Sequence, residues 1–402
     1  EIFEKKDSIS FLLCVPGLIF LKFVSHASEK LLEELKKGNI DSDVNQFLDK
    51  VLIIPATAKW RYILERASSR DIGTYLDEAM QAIEEMNPPF KLPKEYSSPN
   101  INVFALSSFI EKLGEMPDYF HKTGAILSYV YDYIVRKSLL PAPLTSLRET
   151  VFAPGSVVKL MVSLLGPKRG KIFDPCCGFG SLLVESIEYL KEKRKSLKRI
   201  KFYGQENRLP LFQLCCMHLA LYGIDIENMK WHTDISINMD KQRDLKADFL
   251  LCAPPYTGSV LSWIKYAETH LSPMGYAALL LSRDSIFLKK GKTNQIHKEL
   301  VESNRVDCIV NLPGKVLPIA GISLSILILA MDREIKDGKY RYRKDEILFI
   351  DAAALPSMTN IKKKEFTIVD INKIVFVYRE WRGKQGKTMN KKGYGKILKI
   401  ET

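Results

Sequence analysis

The sequence predicts an α/β protein with a seven-stranded, mostly parallel, doubly wound sheet, preceded by a helical domain. Helical periodicity runs through the first 140 residues, and after residue 143 short apolar, β-rich runs alternate with helical patterns. The length of 402 residues leaves room for more than one core. The predicted boundaries are 1–143 for the helical domain, 144–380 for the α/β domain and 381–402 for a basic C-terminal tail.

The N-terminal region is predicted to be helical throughout. Its apolar run 8–24 is interrupted by Pro16, Gly17 and Lys22. A bilayer needs roughly 20 apolar residues, so this run indicates a buried helix rather than a membrane span or a signal peptide. Segments 28–37 and 75–86 alternate charged and apolar residues at helical spacing. The Pro-Ala-Pro sequence at 141–143 ends the region.

The α/β domain follows, and its strands are predicted from short apolar runs. They cover 171–173, 201–204, 229–232, 248–252, 275–281, 305–311 and 322–331, with a further apolar run at 347–354. Segment 381–402 carries seven Lys and Arg residues against one Glu, which is typical of a solvated extension and is compatible with a nucleic-acid contact.

Charge and cysteine content narrow the classes of partner and site. Lys and Arg number 60 against 47 Asp and Glu, and the resulting net charge of +13 favours a polyanionic partner such as nucleic acid. The seven cysteines include no CxxC pair, which indicates a reducing cytoplasm and no structural zinc. The six histidines lack ligand spacing and no serine has a triad context, so the sequence supports neither a metal site nor hydrolysis.

The segment KIFDPCCGFGSLL at 171–183 has the pattern of a cofactor loop between a strand and a helix. Asp174-Pro175 ends the strand, and Gly178 and Gly180 permit a tight turn and a close approach of the backbone to a ligand. A dinucleotide fingerprint requires a third glycine where Leu183 stands, so NAD is disfavoured. An ordinary strand-to-helix turn is the alternative.

Two acidic residues follow the next strands and are candidate nucleoside ligands. Glu206 ends the second strand, where a carboxylate can accept both hydroxyl hydrogens of a ribose. Asp234 follows the third strand and is a candidate for the amine of the base. The alternative for each is a solvated cap at a strand end.

The fourth strand ends in Ala253-Pro254-Pro255-Tyr256. Consecutive prolines hold the backbone extended and leave carbonyls without a sheet partner, while a tyrosine offers a face on which a base can stack. Taken alone, this motif is better explained by a Pro-Pro strand terminator with a core tyrosine.

Together these segments resemble the amino-group class of S-adenosylmethionine-dependent DNA methyltransferases, and most closely the modification subunit of type I restriction-modification systems. The resemblance covers nearly the whole chain. It extends through PGLIFLKFVS at 16–25, FAPGSVVKLMVSLL at 152–165, GQENRLPLFQLCCMHLALYGID at 204–225, VNLPGKVLPIAGISLSILIL at 310–329 and ILFIDAA at 347–353.

The resemblance implies the S-adenosylmethionine-dependent methyltransferase fold, S-adenosylmethionine as cofactor and no metal. Asp174, Gly178 and Gly180 would surround the methionine part of the cofactor, Glu206 its ribose and Asp234 its adenine. The full implied set of cofactor residues is Phe152, Pro154, Asp174, Pro175, Gly178, Gly180, Glu206 and Asp234. The implied catalytic residues are Ala253, Pro254, Pro255 and Tyr256.

The sequence departs from the family pattern at two positions. Ala253 stands where the family has Asn or Asp, and Ala153 stands where it usually has Thr. An adenine amine is a poor nucleophile until acceptors hold its hydrogens, and losing one such group costs on the order of a hundredfold to a thousandfold in rate. Three origins stay open for Ala253: an engineered substitution, natural degeneration, or replacement of its role by a neighbouring group.

The resemblance implies a cytoplasmic enzyme that methylates the N6 amine of adenine in double-stranded DNA. It also implies a separate specificity subunit that reads the sequence, with a restriction subunit as a further candidate partner and no membrane partner. The alternative is a catalytically degenerate assembly subunit that still binds S-adenosylmethionine and DNA. A third hypothesis is methylation of amines in RNA or protein, which the extent of the resemblance disfavours.

Overall fold

The chain divides into two compact units that interleave along the sequence. The first comprises residues 1–148, 178–180 and 206–233, and the second comprises 149–177, 181–205 and 234–402. The computed structural model describes residues 9–37, 52–116, 133, 153–255, 259–287, 298–299, 301–314, 323–334, 340–355, 365–383 and 395–399. The predicted domain boundary at residue 143 and the predicted site residues Phe152 and Tyr256 lie outside this part of the chain.

Ten α-helices and nine β-strands have their bounds within the described residues. The helices are α1 Ile9–Lys36, α2 Trp60–Leu64, α3 Ile72–Met86, α4 Val103–Glu115, α5 Gly155–Leu165, α6 Ser181–Glu192, α7 Leu209–Leu221, α8 Val260–His270, α9 Arg283–Phe287 and α10 Ile368–Arg382. The strands are β1 Gly170–Asp174, β2 Ile200–Glu206, β3 Met229–Trp231, β4 Ala247–Cys252, β5 Leu271–Ser282, β6 Val306–Asn311, β7 Leu324–Ala330, β8 Glu346–Asp351 and β9 Gly395–Lys399.

The first unit contains the predicted N-terminal helices. The apolar run of α1 is buried from Leu18 to Leu21, and α1 packs against α2 and α7, which confirms the prediction of a buried helix. In α3 the apolar side chains Ile72, Leu76 and Met80 recur every four residues and are fully buried. None of the helices in the described part of the chain combines the length and the hydropathy needed to cross a bilayer.

The sheet of the second unit has the strand order β2-β1-β4-β5-β7-β6-β8-β9. The pairs β2 with β1, β1 with β4 and β4 with β5 are parallel, and so is the pair of β6 with β8. Strand β7 runs antiparallel to both of its neighbours, β5 and β6. The seven predicted strands are all present, with β3 in the first unit, and the apolar run at 347–354 contributes β8. The mostly parallel α/β fold is therefore confirmed, and two strands extend it.

Both faces of the central strands are buried. Leu250 and Cys252 of β4 face a cluster that includes Trp263 of α8. Leu251 points to the opposite face because side chains alternate along a strand, and it is also fully buried. Helix α5 contacts β4 and β5 and packs against α6 and α10. This layered arrangement is the one predicted for a doubly wound sheet.

Parts of segment 381–402 belong to the fold, which differs from the expectation of a solvated tail. Trp381 and Arg382 are buried at the end of α10, and the Arg382 guanidinium lies over the rings of Tyr340 and Tyr378, at 4.7 Å from each ring centre. Strand β9 pairs antiparallel with β8. The basic composition of the segment does not reveal these contacts, because it does not distinguish a solvated cation from a guanidinium that packs on aromatic rings.

Candidate functional site

The carboxyl end of β1 leads into the predicted cofactor loop. Asp174 is buried, and its Oδ1 accepts a hydrogen bond from the backbone amide of Cys176 at 3.1 Å. The Cys177 amide donates to the carbonyl of Gln205 at 2.9 Å, and the Ser236 hydroxyl donates to the carbonyl of Pro175. The start of the loop is therefore anchored to β2 and to the segment after β3.

The two loop glycines have left-handed backbone conformations, with φ of +56° at Gly178 and +85° at Gly180. A Cβ added to Gly180 would lie 3.0 Å from the Sγ of Cys215. A Cβ added to Gly178 would meet no atom within 4 Å in the described part of the chain. Gly178 thus borders open space. Gly180 packs so closely on α7 that a side chain there would crowd Cys215.

We expect Gly180→Ala to lower the free energy of unfolding more than Gly178→Ala. Both substitutions place a Cβ on a residue with a left-handed backbone conformation, which costs about 1–2 kcal/mol of folding free energy. Only Gly180→Ala adds a contact at 3.0 Å with a neighbour. Urea denaturation of the two variants measures the difference, and equal losses would show that backbone strain alone accounts for both.

Glu206, at the end of β2, is held by backbone amides of the first unit. Its Oε2 accepts from the Gly178 amide at 2.8 Å, and its Oε1 accepts from the amides of Asn207 and Arg208 at 3.0 and 2.9 Å. Burial raises the pKa of the Glu206 carboxyl, while these amides oppose the shift because they stabilise the charged form. The side chain is thus a buried, oriented acceptor rather than a solvated cap.

Asp234 caps the turn that follows β3. Its Oδ1 accepts from the amide of Ile235 at 2.7 Å and from the Nδ2 of Asn238 at 3.2 Å, and the residue is partly buried. These bonds orient the carboxylate but use one of its oxygens for local structure.

The predicted catalytic segment follows β4 directly. Ala253 and Pro255 are partly buried and Pro254 is buried. The methyl side chain of Ala253 offers no hydrogen-bond acceptor. Upstream, Pro154 precedes the first turn of α5, and its carbonyl accepts from the amides of Val157 and Val158 at 2.9 and 3.0 Å.

Within each unit the fold brings two of the predicted site residues together. In the second unit β1 and β4 are parallel neighbours, with Phe173 opposite Leu250. Asp174 at the end of β1 and Ala253 directly after β4 therefore lie at the same edge of the sheet. In the first unit Gly178 and Glu206 are joined by the hydrogen bond at 2.8 Å.

A buried polar network near this edge was not predicted from the sequence. The Tyr266 hydroxyl donates to Oδ1 of Asp240 at 3.1 Å and accepts from the Gln205 side-chain amide at 2.8 Å. The Nε2 of His270 lies 2.8 Å from Oδ2 of Asp240. The partners in this network lie 26 to 61 residues apart in the sequence, so no short motif indicates it. The one feature of the sequence that points to it is that Gln205 directly precedes Glu206.

A metal centre would need several acidic, histidine or cysteine side chains close together. Within the described ranges, no group of three or more such residues is placed to hold a metal ion.

Comparison with protein families shows matches along most of the chain. The model described as N-6 DNA Methylase matches residues 122–261 and 257–401, and the model described as HsdM N-terminal domain matches residues 7–116.

Curated relatives align with most of the chain at low sequence identity. The type I restriction enzyme HindI methylase subunit of Haemophilus influenzae is 27% identical over 379 residues, covering 83% of each chain. The type I restriction enzyme MjaIX methylase subunit of Methanocaldococcus jannaschii is 25% identical over 403 residues, covering 92% of this chain and 70% of the relative.

Solved structures share the fold. A type I restriction-modification methyltransferase subunit from Streptococcus thermophilus has a TM-score of 0.74 at 18% identity, over 99% of this chain and 92% of that one. A putative class I S-adenosylmethionine-dependent methyltransferase from Listeria monocytogenes has a TM-score of 0.53 at 15% identity, over 80% of this chain and 97% of that one.

Proposed function

Because the chain belongs to the N-6 DNA methylase family, we propose that it is the methyltransferase subunit of a type I-like restriction-modification system. The proposed reaction transfers a methyl group from S-adenosylmethionine to the N6 amine of an adenine flipped out of double-stranded DNA. The observation that carries the proposal is the hydrogen bond from the Gly178 amide to the Glu206 carboxylate, at 2.8 Å, at a point where the Gly178 backbone faces open space.

The residues present fit S-adenosylmethionine. The backbone at Gly178 borders open space, so a ligand can approach it closely. Helix α6 begins directly after the loop, and the first amides of a helix have no acceptor within the helix, so we assign them to polar ligand atoms. We assign Asp174, Pro175, Gly178 and Gly180 to the methionine part of the cofactor, with Pro154 and Phe152 as further contacts.

Glu206 is assigned to the ribose. An ionised carboxylate has about four acceptor sites, and three backbone amides occupy three of them. One ribose hydroxyl can therefore donate to Oε2 without displacing a backbone amide. A second ribose hydroxyl can donate to the carboxylate only if one of the three amides is released. Asp234 is assigned to the adenine amine of the cofactor, through the oxygen that does not cap the turn.

The segment after β4 is assigned to the target base. When bound, the cofactor supplies an electrophilic methyl group on a sulfonium centre. The Pro254 carbonyl accepts one hydrogen of the target amine, which directs the lone pair of the nitrogen away from the ring, and Tyr256 stacks on the flipped base. Ala253 leaves the second hydrogen of the amine without a side-chain acceptor.

A second candidate function follows from Ala253. A subunit that lacks this acceptor but keeps the Glu206 site would bind S-adenosylmethionine and DNA and contribute to assembly without methylating at a useful rate. The two candidates differ in turnover and not in cofactor binding.

The proposed partners are double-stranded DNA, a specificity subunit and a restriction subunit. The formal charge of +13 favours binding to the DNA backbone, and the chain's relatives are named as subunits of type I enzymes. We place the protein in the cytoplasm, where DNA is accessible and its free cysteines stay reduced.

Calorimetric titration of S-adenosylmethionine into the purified chain tests the cofactor site. We expect Glu206→Ala to weaken binding by about a hundredfold, because a hydrogen bond to a charged group contributes about 1.5–3 kcal/mol and the variant also frees the Gly178 amide. Since burial raises the pKa of Glu206, the affinity of the parent should fall as the pH is lowered and the carboxylate is protonated.

Two variants serve as controls for this titration. Glu227→Ala removes an exposed carboxylate of the same unit and should bind like the parent. Gly178→Ala should fold but bind more weakly, because its Cβ occupies the space through which the ligand approaches the backbone. Equal affinity in Glu206→Ala and Glu227→Ala would contradict the assignment of Glu206.

A further inference from the structure

Two thiols meet where the loop after β1 passes the end of β4. The Sγ atoms of Cys176 and Cys252 are 3.1 Å apart. Parallel pairing of β1 with β4 brings them together, since Phe173 lies opposite Leu250 and both cysteines follow within three residues. Cys176 is partly exposed, whereas Cys252 is fully buried.

The two sulfurs differ in what can reach them. Burial raises the pKa of the Cys252 thiol, so this group stays protonated and protected from solvent. Cys176 is only partly buried, so we assign to it the first reaction with a small oxidant. This combination of an accessible thiol and a second thiol within reach is typical of a peroxide-sensitive pair.

We propose that Cys176 and Cys252 are a redox modification site that a hydroperoxide converts into a disulfide. The Cys176 sulfur attacks the peroxide, forming a sulfenic acid and releasing water. The Cys252 sulfur then attacks the sulfenic sulfur, the S–O bond breaks, and a second water leaves with the Cys252 proton. Two thiols are oxidised by two electrons, and one hydrogen peroxide is reduced to two waters.

The disulfide changes the loop that the proposed function assigns to the cofactor, and this consequence rests on that function. A disulfide needs a sulfur separation of about 2.05 Å, so the two segments must move together by roughly 1 Å. The Cys176 amide holds Oδ1 of Asp174 at 3.1 Å, and Cys252 directly precedes Ala253. Oxidation therefore displaces both the carboxylate assigned to the cofactor and the start of the catalytic segment.

The experiment treats the full chain with stoichiometric hydrogen peroxide and measures two quantities. Tryptic peptide mapping reports the linkage between peptides 172–191 and 247–265, which contain the two cysteines. Titration of S-adenosylmethionine into the same sample reports affinity. We expect the linked peptides, an affinity reduced about tenfold, and recovery of both with dithiothreitol.

Matched variants separate this pair from the other cysteines. Cys176→Ala and Cys252→Ala should form no linkage and keep their affinity after peroxide. Cys177→Ala, in the same peptide as Cys176, and Cys308→Ala, buried in β6, should behave like the parent.

Two outcomes would overturn the proposal, and a third would overturn its consequence for the cofactor loop. The first is overoxidation of Cys176 with no linked peptides, and the second is linkage through Cys177 instead. The third is linkage without a change in affinity. If the reduced parent does not bind S-adenosylmethionine, the proposed function and the regulatory consequence both fail, while the mapping still reports whether the pair forms a disulfide.

Discussion

Ala253→Asn is expected to raise the rate of DNA methylation by about two to three orders of magnitude. The asparagine oxygen would accept the second hydrogen of the target amine, beside the Pro254 carbonyl, and one preorganised hydrogen-bonding group contributes a factor of about a hundred to a thousand. The effect should fall on kcat and leave the affinity for S-adenosylmethionine unchanged, because the added oxygen acts on the base rather than on the cofactor.

The measurement is transfer of labelled methyl to unmethylated genomic DNA by the chain co-purified with a cognate specificity subunit. Ala253→Leu is the matched control, since leucine has nearly the shape of asparagine without its acceptor. A rate increase in the asparagine variant alone supports a disabled methyltransferase. Equal inactivity of both variants, with intact cofactor binding, would instead favour the assembly subunit. A parent as active as Ala253→Asn would show that a neighbouring group replaces the acceptor.

Asp307→Asn is expected to lower the free energy of unfolding of the second unit by about 3–5 kcal/mol, because it leaves buried cations without their counter-charge. Asp307, in β6, is fully buried, and its Oδ1 accepts from the Nε of Arg333 and of Arg343 at 3.1 Å each. Its Oδ2 accepts from the Tyr378 hydroxyl of α10 at 2.8 Å. The Asp307 carboxylate therefore forms ion pairs with two guanidinium groups.

The contribution of Asp307 should depend on pH. Burial alone would raise the pKa of this carboxyl, but Arg343 and Arg333 bring it below its ordinary value. Because the folded pKa is lower than the unfolded one, the ionised group stabilises the fold above the ordinary carboxyl pKa. This stabilisation is lost as the pH falls through the folded pKa. The gap between parent and Asp307→Asn should therefore narrow in acid.

Urea denaturation at neutral and acidic pH tests this prediction, with hydrogen exchange of the β6 amides to separate the second unit from the first. Glu192→Gln is the control, because Glu192 forms a partly exposed ion pair with Lys159 at 2.8 Å. Such a pair contributes about 0–1 kcal/mol. A loss for Asp307→Asn no larger than that of the control would show that water or a rearranged partner compensates the arginines.

Prediction from the sequence succeeded where the signal is local. The seven strands, the buried N-terminal helix and the turn of the 174–180 loop each depend on residues within a few positions of one another, such as Gly178 with its left-handed φ. Asp307 gave no such signal: a lone aspartate in an apolar strand does not reveal that Arg333 and Arg343 lie 26 and 36 residues away in the sequence.

The sequence by itself determined the α/β class, the order of the strands along the chain, the glycine loop, and the positions of Glu206 and the Ala-Pro-Pro-Tyr motif at strand ends. These follow from hydrophobic periodicity and from backbone preferences, which act over a few residues. Only the tertiary structure decided that Cys176 meets Cys252, that Asp240 holds His270 and Tyr266, and that β9 pairs with β8. Parallel strand pairing and the intervening helices set those distances, and neither is encoded by the spacing of the partners along the chain.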